Sequence, residues 1–189
     1  MKTVYIFFAD GLEDIEALAT VDILRRAGIN VKTVSIMGNE IITSAHGVRI
    51  ITDEVFEGTD FNDADMLVLP GGLPGSTHLR DFEPLQKLLL SHNEKSGLIA
   101  AICAAPMALG NLGLLNGKHA TCYPGCEDTM TGAQPTGELC TVCENIITGQ
   151  GPAAAFPFAY TIVDILLGAG SSDGLKEGMM YRHLLAEGE

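Results

Sequence analysis

Short apolar blocks alternate with longer amphipathic ones along almost the whole chain. Val4 to Phe8 is an unbroken apolar run of strand length. Glu13 to Ala27 then carries apolar residues at helical spacing, with Leu18, Val21 and Leu24 on the predicted core face. Its acids Glu13, Asp14 and Glu16 come first, Arg25 and Arg26 last, and Gly28 follows as the stop, the order a helix dipole favours. Val31 to Ile36 predicts a second strand, and Ile41 to Thr43 with Val48 to Ile51 a hairpin across Ser44-Ala45-His46-Gly47. Met66 to Leu69 is a short buried strand ending at Pro70-Gly71-Gly72, Pro84 to Asn93 a helix, and Leu98 to Ile102 a buried strand running into Cys103. Ala104 to Leu112 predicts a helix, with Pro106 tolerated in its first turn. His119 to Tyr123, Glu138 to Val142 and Asn145 to Thr148 predict short strands. After the turn Gly149-Gln150-Gly151-Pro152 a helix runs to about Leu167, and the tail from Ser171 is predicted helical.

Strands alternating with helices predict an α/β protein whose mainly parallel sheet is covered on both faces. With neither repeat nor linker, residues 1–189 are expected to form a single domain. In such sheets ligands bind beyond the carboxyl ends of the strands. Three ends therefore matter: Ala9-Asp10-Gly11, Pro70-Gly71-Gly72 and Cys103.

Composition narrows the function. Eleven Lys and Arg against 24 Asp and Glu, a formal charge of −13, argue against nucleic acid, whose binding draws on basic density. The chain lacks an uncharged apolar stretch of membrane-spanning length and a secretory leader pattern, so a cytoplasmic protein without membrane contact is expected. Five cysteines, an odd number, make a disulfide framework a poor reading.

The strongest chemical signal is Ala101-Ile102-Cys103-Ala104-Ala105. A nucleophile at a sharp strand-to-helix turn needs small residues two before and two after it, and here both are alanine. A helix starting just after the sulfur would favour an exposed, low-pKa thiolate. The competing local reading is a buried core cysteine. Gly71-Gly72 could aim backbone amides at an oxyanion or simply turn the chain. Its spacing is neither a dinucleotide fingerprint nor a phosphate loop. Glu16, in the first turn of the first helix, is by itself an ordinary N-terminal acid.

Together these pieces resemble the ThiJ/PfpI superfamily, in the branch of the Parkinson's-disease-associated protein deglycase and its bacterial relatives. The landmarks are Ala9 to Glu16, Val21 to Gly28, Val68 to Gly72, Leu98 to Ala104 and Thr148 to Pro152. The resemblance implies a flavodoxin-like three-layer α/β/α sandwich with a nucleophile elbow, and usually a homodimer. It places the family's reactive cysteine on Cys103, its partner acid on Glu16 and its amide donors on Gly72 and Ala104, with Gly71 beside them. A charged carboxylate would oppose a neighbouring thiolate, so Glu16 is expected to be protonated and to titrate with Cys103 as one coupled pair. A histidine that the human-type branch keeps near the cysteine corresponds to Tyr123 here, and an arginine some members place in the hairpin falls near His46. The residue after the nucleophile is Ala104, and Ala153 to Pro157 offers neither histidine nor acid, which argues against a peptidase or an amidotransferase.

The resemblance therefore points to a glyoxalase or deglycase acting on a small aldehyde or dicarbonyl without a cofactor. The alternative is an oxidative-stress sensor or chaperone-like protein working through oxidation of Cys103. Cys122 with Cys126 and Cys140 with Cys143 have spacings that superficially suit zinc. Cys122 and Cys140 fall in strand patterns, which favours packing, so no metal is expected. A redox pair of Cys103 with Cys126 would need the two Cα atoms within about 7 Å. His78, His92 and His183 are expected at the surface or at helix ends, and His119 in a structural role.

Overall fold

The computed structural model describes residues 1–186; the last three positions of the expected domain lie outside the described residues. In chain order the elements are β1 Thr3–Phe8, α1 Asp14–Arg26, β2 Asn30–Ser35, β3 Ile41–Thr43, β4 Arg49–Ile51, β5 Glu54–Val55, β6 Met66–Leu69, α2 Gly75–Asp81 and α3 Glu83–Glu94. They continue as β7 Leu98–Ile102, α4 Pro106–Asn111, β8 His119–Ala120, β9 Gln134–Pro135, β10 Cys140–Cys143, β11 Ile146–Gly149, α5 Ala155–Leu167, α6 Asp173–Gly178 and α7 Tyr181–Ala186.

Seven strands form the central sheet in the order β10-β11-β7-β6-β1-β2-β5. All neighbours are parallel except β10 and β11, an antiparallel hairpin at one edge. The alternation within each strand builds a core on either face. Val4, Ile6 and Phe8 of β1 pack with Met66, Val68, Ala100 and Ile102 under α1 and α5. Tyr5, Phe7, Leu67, Leu69, Ile99 and Ala101 face the opposite way, under α2, α3 and α4. Continuous apolar strands are what a sheet buried on both faces requires.

Several expectations shift. Leu18 is 40% exposed rather than in the core, because the buried stripe of α1 runs through Ala17, Thr20, Val21 and Leu24. His92 stands in the last turn of α3, as expected of a helix end, but is buried there. Its Nε2 lies 3.1 Å from the Leu98 carbonyl, and Gly97 leaves room for the ring. The short helix α2 follows a Gly-Ser-Thr start of low helix propensity, and Leu79 holds it by packing into the core. The strand expected from His119 shrinks to two residues paired with Gln134–Pro135 in a separate small sheet. In the tail, Asp164 holds the backbone and the hydroxyl of Ser172, each at 2.8 Å, and so docks α6 against α5.

Candidate active site

The centre of the site is a break in a simple rule. Along β7 the even positions Ala100 and Ile102 face one core and the odd positions Ile99 and Ala101 the other. Cys103 should continue the odd series, yet it joins the core of Ile102. Its φ of +64° turns the chain there. A non-glycine residue in this region is strained by roughly 1–2 kcal/mol and persists only where surroundings hold it. Here the Cys103 amide donates to the Gly149 carbonyl at 2.9 Å, and the Tyr123 amide donates to the Cys103 carbonyl at 2.9 Å. Ala101 and Ala105, fully buried, leave space for the turn.

Two expectations about Cys103 are corrected. The side chain is buried, only 7% exposed, rather than presented to solvent. Helix α4 begins at Pro106 and is six residues long, so no long helix dipole addresses the sulfur. Burial pushes the thiol pKa up, and a charged Glu16 pushes it further the same way. The backbone amides of Gly72 and Ala104 act in the opposite direction as donors to the sulfur.

Glu16 is fully buried in the first turn of α1. Its amide is capped by Glu13 Oε2 at 2.8 Å, and its own Oε2 accepts the Gly71 amide at 2.9 Å. In return the Glu13 amide donates to the Gly71 carbonyl at 2.9 Å, so helix and glycine turn are clasped from both sides. Oε1 is buried without an aligned hydrogen-bond partner, which leaves it free for the sulfur beside it. Burial raises the carboxyl pKa to about 7, assisted by the charge of Glu13 and opposed by Cys103 and the Gly71 amide. Passing one proton from the thiol to this carboxylate keeps the charge of the pair constant and removes the charge that opposes a thiolate.

The raised pKa carries a stability prediction. The folded carboxyl keeps its proton to about pH 7, whereas the unfolded one releases it near 4.5. The folded state therefore binds more protons in that window, and stability falls as pH rises through it, by about 3 kcal/mol in all. Glu16→Gln is expected to remove this decline. Urea unfolding at pH 5 and pH 8 checks it, and parallel behaviour of the two proteins would refute it.

A cavity of about 210 Å³ opens over the sulfur, lined by Gly72, Leu73, Cys103, Ala104, Tyr123 and Cys126. Tyr123 is thus brought to the site, half exposed. His46 is not among the lining residues. It sits at the tip of the β3–β4 hairpin with Nδ1 2.7 Å from Asp14 Oδ2. Gly71 serves Glu16 rather than the sulfur. Leu73 and Cys126 complete the lining; Cys126 is the cysteine weighed above as a redox partner of Cys103, whereas no local pattern marked Leu73. Among the described residues, the ligating groups that gather within 4.8 Å are Glu13, Asp14 and His46, and the four remaining cysteines form no such group. A larger cavity of about 430 Å³ lies at the opposite ends of the strands, beside Phe61, His92 and Lys95, away from this chemistry.

Comparisons with known proteins bear on the chain that carries this arrangement. The chain matches the DJ-1/PfpI family over residues 2–165. It belongs to this family. It is 36% identical over 169 residues to Protein DJ-1 homolog B of Arabidopsis thaliana, covering 88% of this chain and 39% of that protein. The chain thus spans well under half the length of that relative. It is 32% identical over 165 residues to a Caenorhabditis elegans protein named glutathione-independent glyoxalase DJR-1.2, covering 86% and 87% of the two chains. The structure of oxidized Toxoplasma gondii DJ-1 superposes with a TM-score of 0.91 at 31% identity, covering 95% of this chain and 98% of that one. The DJ-1/PfpI fold expected from the landmarks, a mainly parallel sheet flanked by helices, is the fold observed. Among the described residues no helix is long and apolar enough to cross a membrane.

Proposed function

We propose that this DJ-1/PfpI protein is a cofactor-free glyoxalase or deglycase whose nucleophile is Cys103 and whose acid–base group is Glu16. The observation that carries the reading is the Glu16 carboxyl, buried beside the sulfur and titrating at about 7, where it can both give and take a proton at neutral pH. The thiolate adds to the aldehyde carbon of a dicarbonyl such as methylglyoxal. The C–S bond forms, and the oxygen takes a proton from Glu16 while the Gly72 and Ala104 amides steady its charge. The Glu16 carboxylate then removes the hydrogen from that carbon, and the resulting enediol is reprotonated at the neighbouring carbon. This oxidises the aldehyde carbon and reduces the ketone within one molecule. Water hydrolyses the thioester, releasing lactate and restoring the thiol. The C. elegans relative named as a glyoxalase supports the same reading. The assay is lactate formation from methylglyoxal by metal-free protein without glutathione; absence of lactate overturns the proposal.

A homodimer accompanies this reading. Ile15 and Leu18 on α1 and Val48 and Ile51 on the β3–β4 hairpin are 51%, 40%, 48% and 73% exposed. The hairpin is tied to the start of α1 by the Ala45 amide on the Leu12 carbonyl and by His46 on Asp14. These apolar side chains form a face that a second copy would cover. Leu18→Arg is expected to yield monomers by light scattering, and an unchanged mass would argue against this face.

A further inference from the structure

The mechanism above uses one thiol, yet two line the cavity. Cys126 shares the space over Cys103 with Tyr123 and Leu73. Its position follows from a short return of the chain. Tyr123 is anchored by its amide to the Cys103 carbonyl, and the Cys126 amide closes the turn on the Tyr123 carbonyl, each at 2.9 Å. Pro124-Gly125 lies between them, with Gly125 at a φ of +94°. Cys126 packs against the core on one face of the sheet, and Cys103 belongs to the core on the other. Both line the one cavity beyond the strand ends. Cys122 is a poorer candidate: it is 5% exposed, its thiol points to the Tyr123 carbonyl at 3.4 Å, and it does not line the cavity. Cys140 and Cys143 lie on the edge strand β10.

We propose that Cys126 is a resolving thiol for Cys103, and that the cavity reduces hydroperoxides by forming a Cys103–Cys126 disulfide. The proposal rests on the reading of Cys103 as a nucleophile assisted by Glu16. The thiolate attacks the terminal peroxide oxygen and the O–O bond breaks. The departing alkoxide takes the proton of Glu16, leaving an alcohol and a sulfenic acid on Cys103. Sulfur is oxidised by two electrons and the peroxide reduced by two. Cys126 then attacks the Cys103 sulfur, the S–O bond breaks, and the hydroxide leaves as water with the proton of the Cys126 thiol. Burial and the charge of Glu127 keep Cys126 protonated beforehand, so the proton is available for that departure. The 3₁₀ turn Glu127–Thr129 follows directly, and the loop that carries Cys126 is tethered at Tyr123 to the Cys103 carbonyl. A dithiol reductant returns both thiols. The second thiol would spare Cys103 from the irreversible sulfinic state.

The test treats the reduced protein with two equivalents of cumene hydroperoxide, blocks free thiols, and maps peptides without reduction. The expected product links the Cys103 and Cys126 peptides, and dithiothreitol removes the link. Cys126→Ser is expected to lose the link and to accumulate roughly tenfold more Cys103 sulfinate at the same dose. Cys122→Ser should keep the link. Sulfinate at Cys103 in the wild-type protein with no link overturns the proposal while leaving the nucleophile intact. A Cys103 that neither oxidises nor reacts with iodoacetamide overturns both this inference and the glyoxalase reading.

Discussion

Cys103→Ala is expected to reduce methylglyoxal turnover at least about a thousandfold while leaving the fold in place. Every covalent step of the proposed reaction runs through this sulfur, and no neighbouring group can replace it. Tyr123 lines the cavity with a phenol, which offers a hydrogen bond rather than a thiol nucleophile. Cys126 lines the cavity but lacks the two amides that face Cys103. Alanine keeps the Cβ and the same positive-φ strain, so the backbone bonds to Gly149 and Tyr123 should survive. The variant also relieves Glu16 of its neighbour, and thermal unfolding should show little loss. Steady-state lactate production and a melting curve on the same sample make the comparison. Residual turnover within about tenfold of wild type would exclude a cysteine mechanism.

Gly71→Ala should be nearly as severe, for a different reason. The backbone of Gly71 is not in the left-handed region, so alanine meets no conformational objection there. The objection is steric. The added methyl would fall 2.5 Å from the Cys103 Cβ and 2.9 Å from the Ile102 carbonyl, and onto Glu16 Oε2. These are three parts of the site, and none is the free end of a flexible surface chain. Overpacking of this kind costs about 1–3 kcal/mol, and a displacement of about 1 Å of the reacting groups costs about a hundredfold in rate. Gly28→Ala provides the contrast. Its φ is +77°, but nothing lies within 4 Å of the added carbon. It should lose about 1 kcal/mol of stability and keep full turnover. If Gly71→Ala retained wild-type kcat and KM, the tight seating of Glu16 against the elbow would not matter to the reaction.

The two variants bear on different levels of the chain. Cys103 could be picked out from Ala101-Ile102-Cys103-Ala104-Ala105, because a strained turn demands small neighbours and that demand is written locally. The role of Gly71 could not. A pair of glycines after a strand marks a turn, but which groups crowd the missing Cβ depends on α1, β6 and β7 arriving side by side. The same holds for His46. A hairpin residue offered as support for the site proves to be paired with Asp14 outside the cavity, since hairpin placement is set by tertiary contacts. Leu18 illustrates the limit for helices. Its spacing suits the core, but only the packing of α1 against α5 decides which edge of the apolar stripe is covered.

Glu16 became a candidate only through the family landmarks; local patterning by itself determined the alternating α/β order, the doubly buried sheet and the elbow at Cys103. These rest on periodicities and steric demands that act within a few residues. The tertiary structure alone decided that Cys103 is buried rather than exposed, and that the Glu16 carboxyl titrates near neutrality. It set the Gly72 amide, expected from the family landmarks, toward the sulfur and put a second thiol into the same cavity. Desolvation and through-space contact depend on what packs around a group, and the residues that pack around Cys103 come from four separate stretches of the chain.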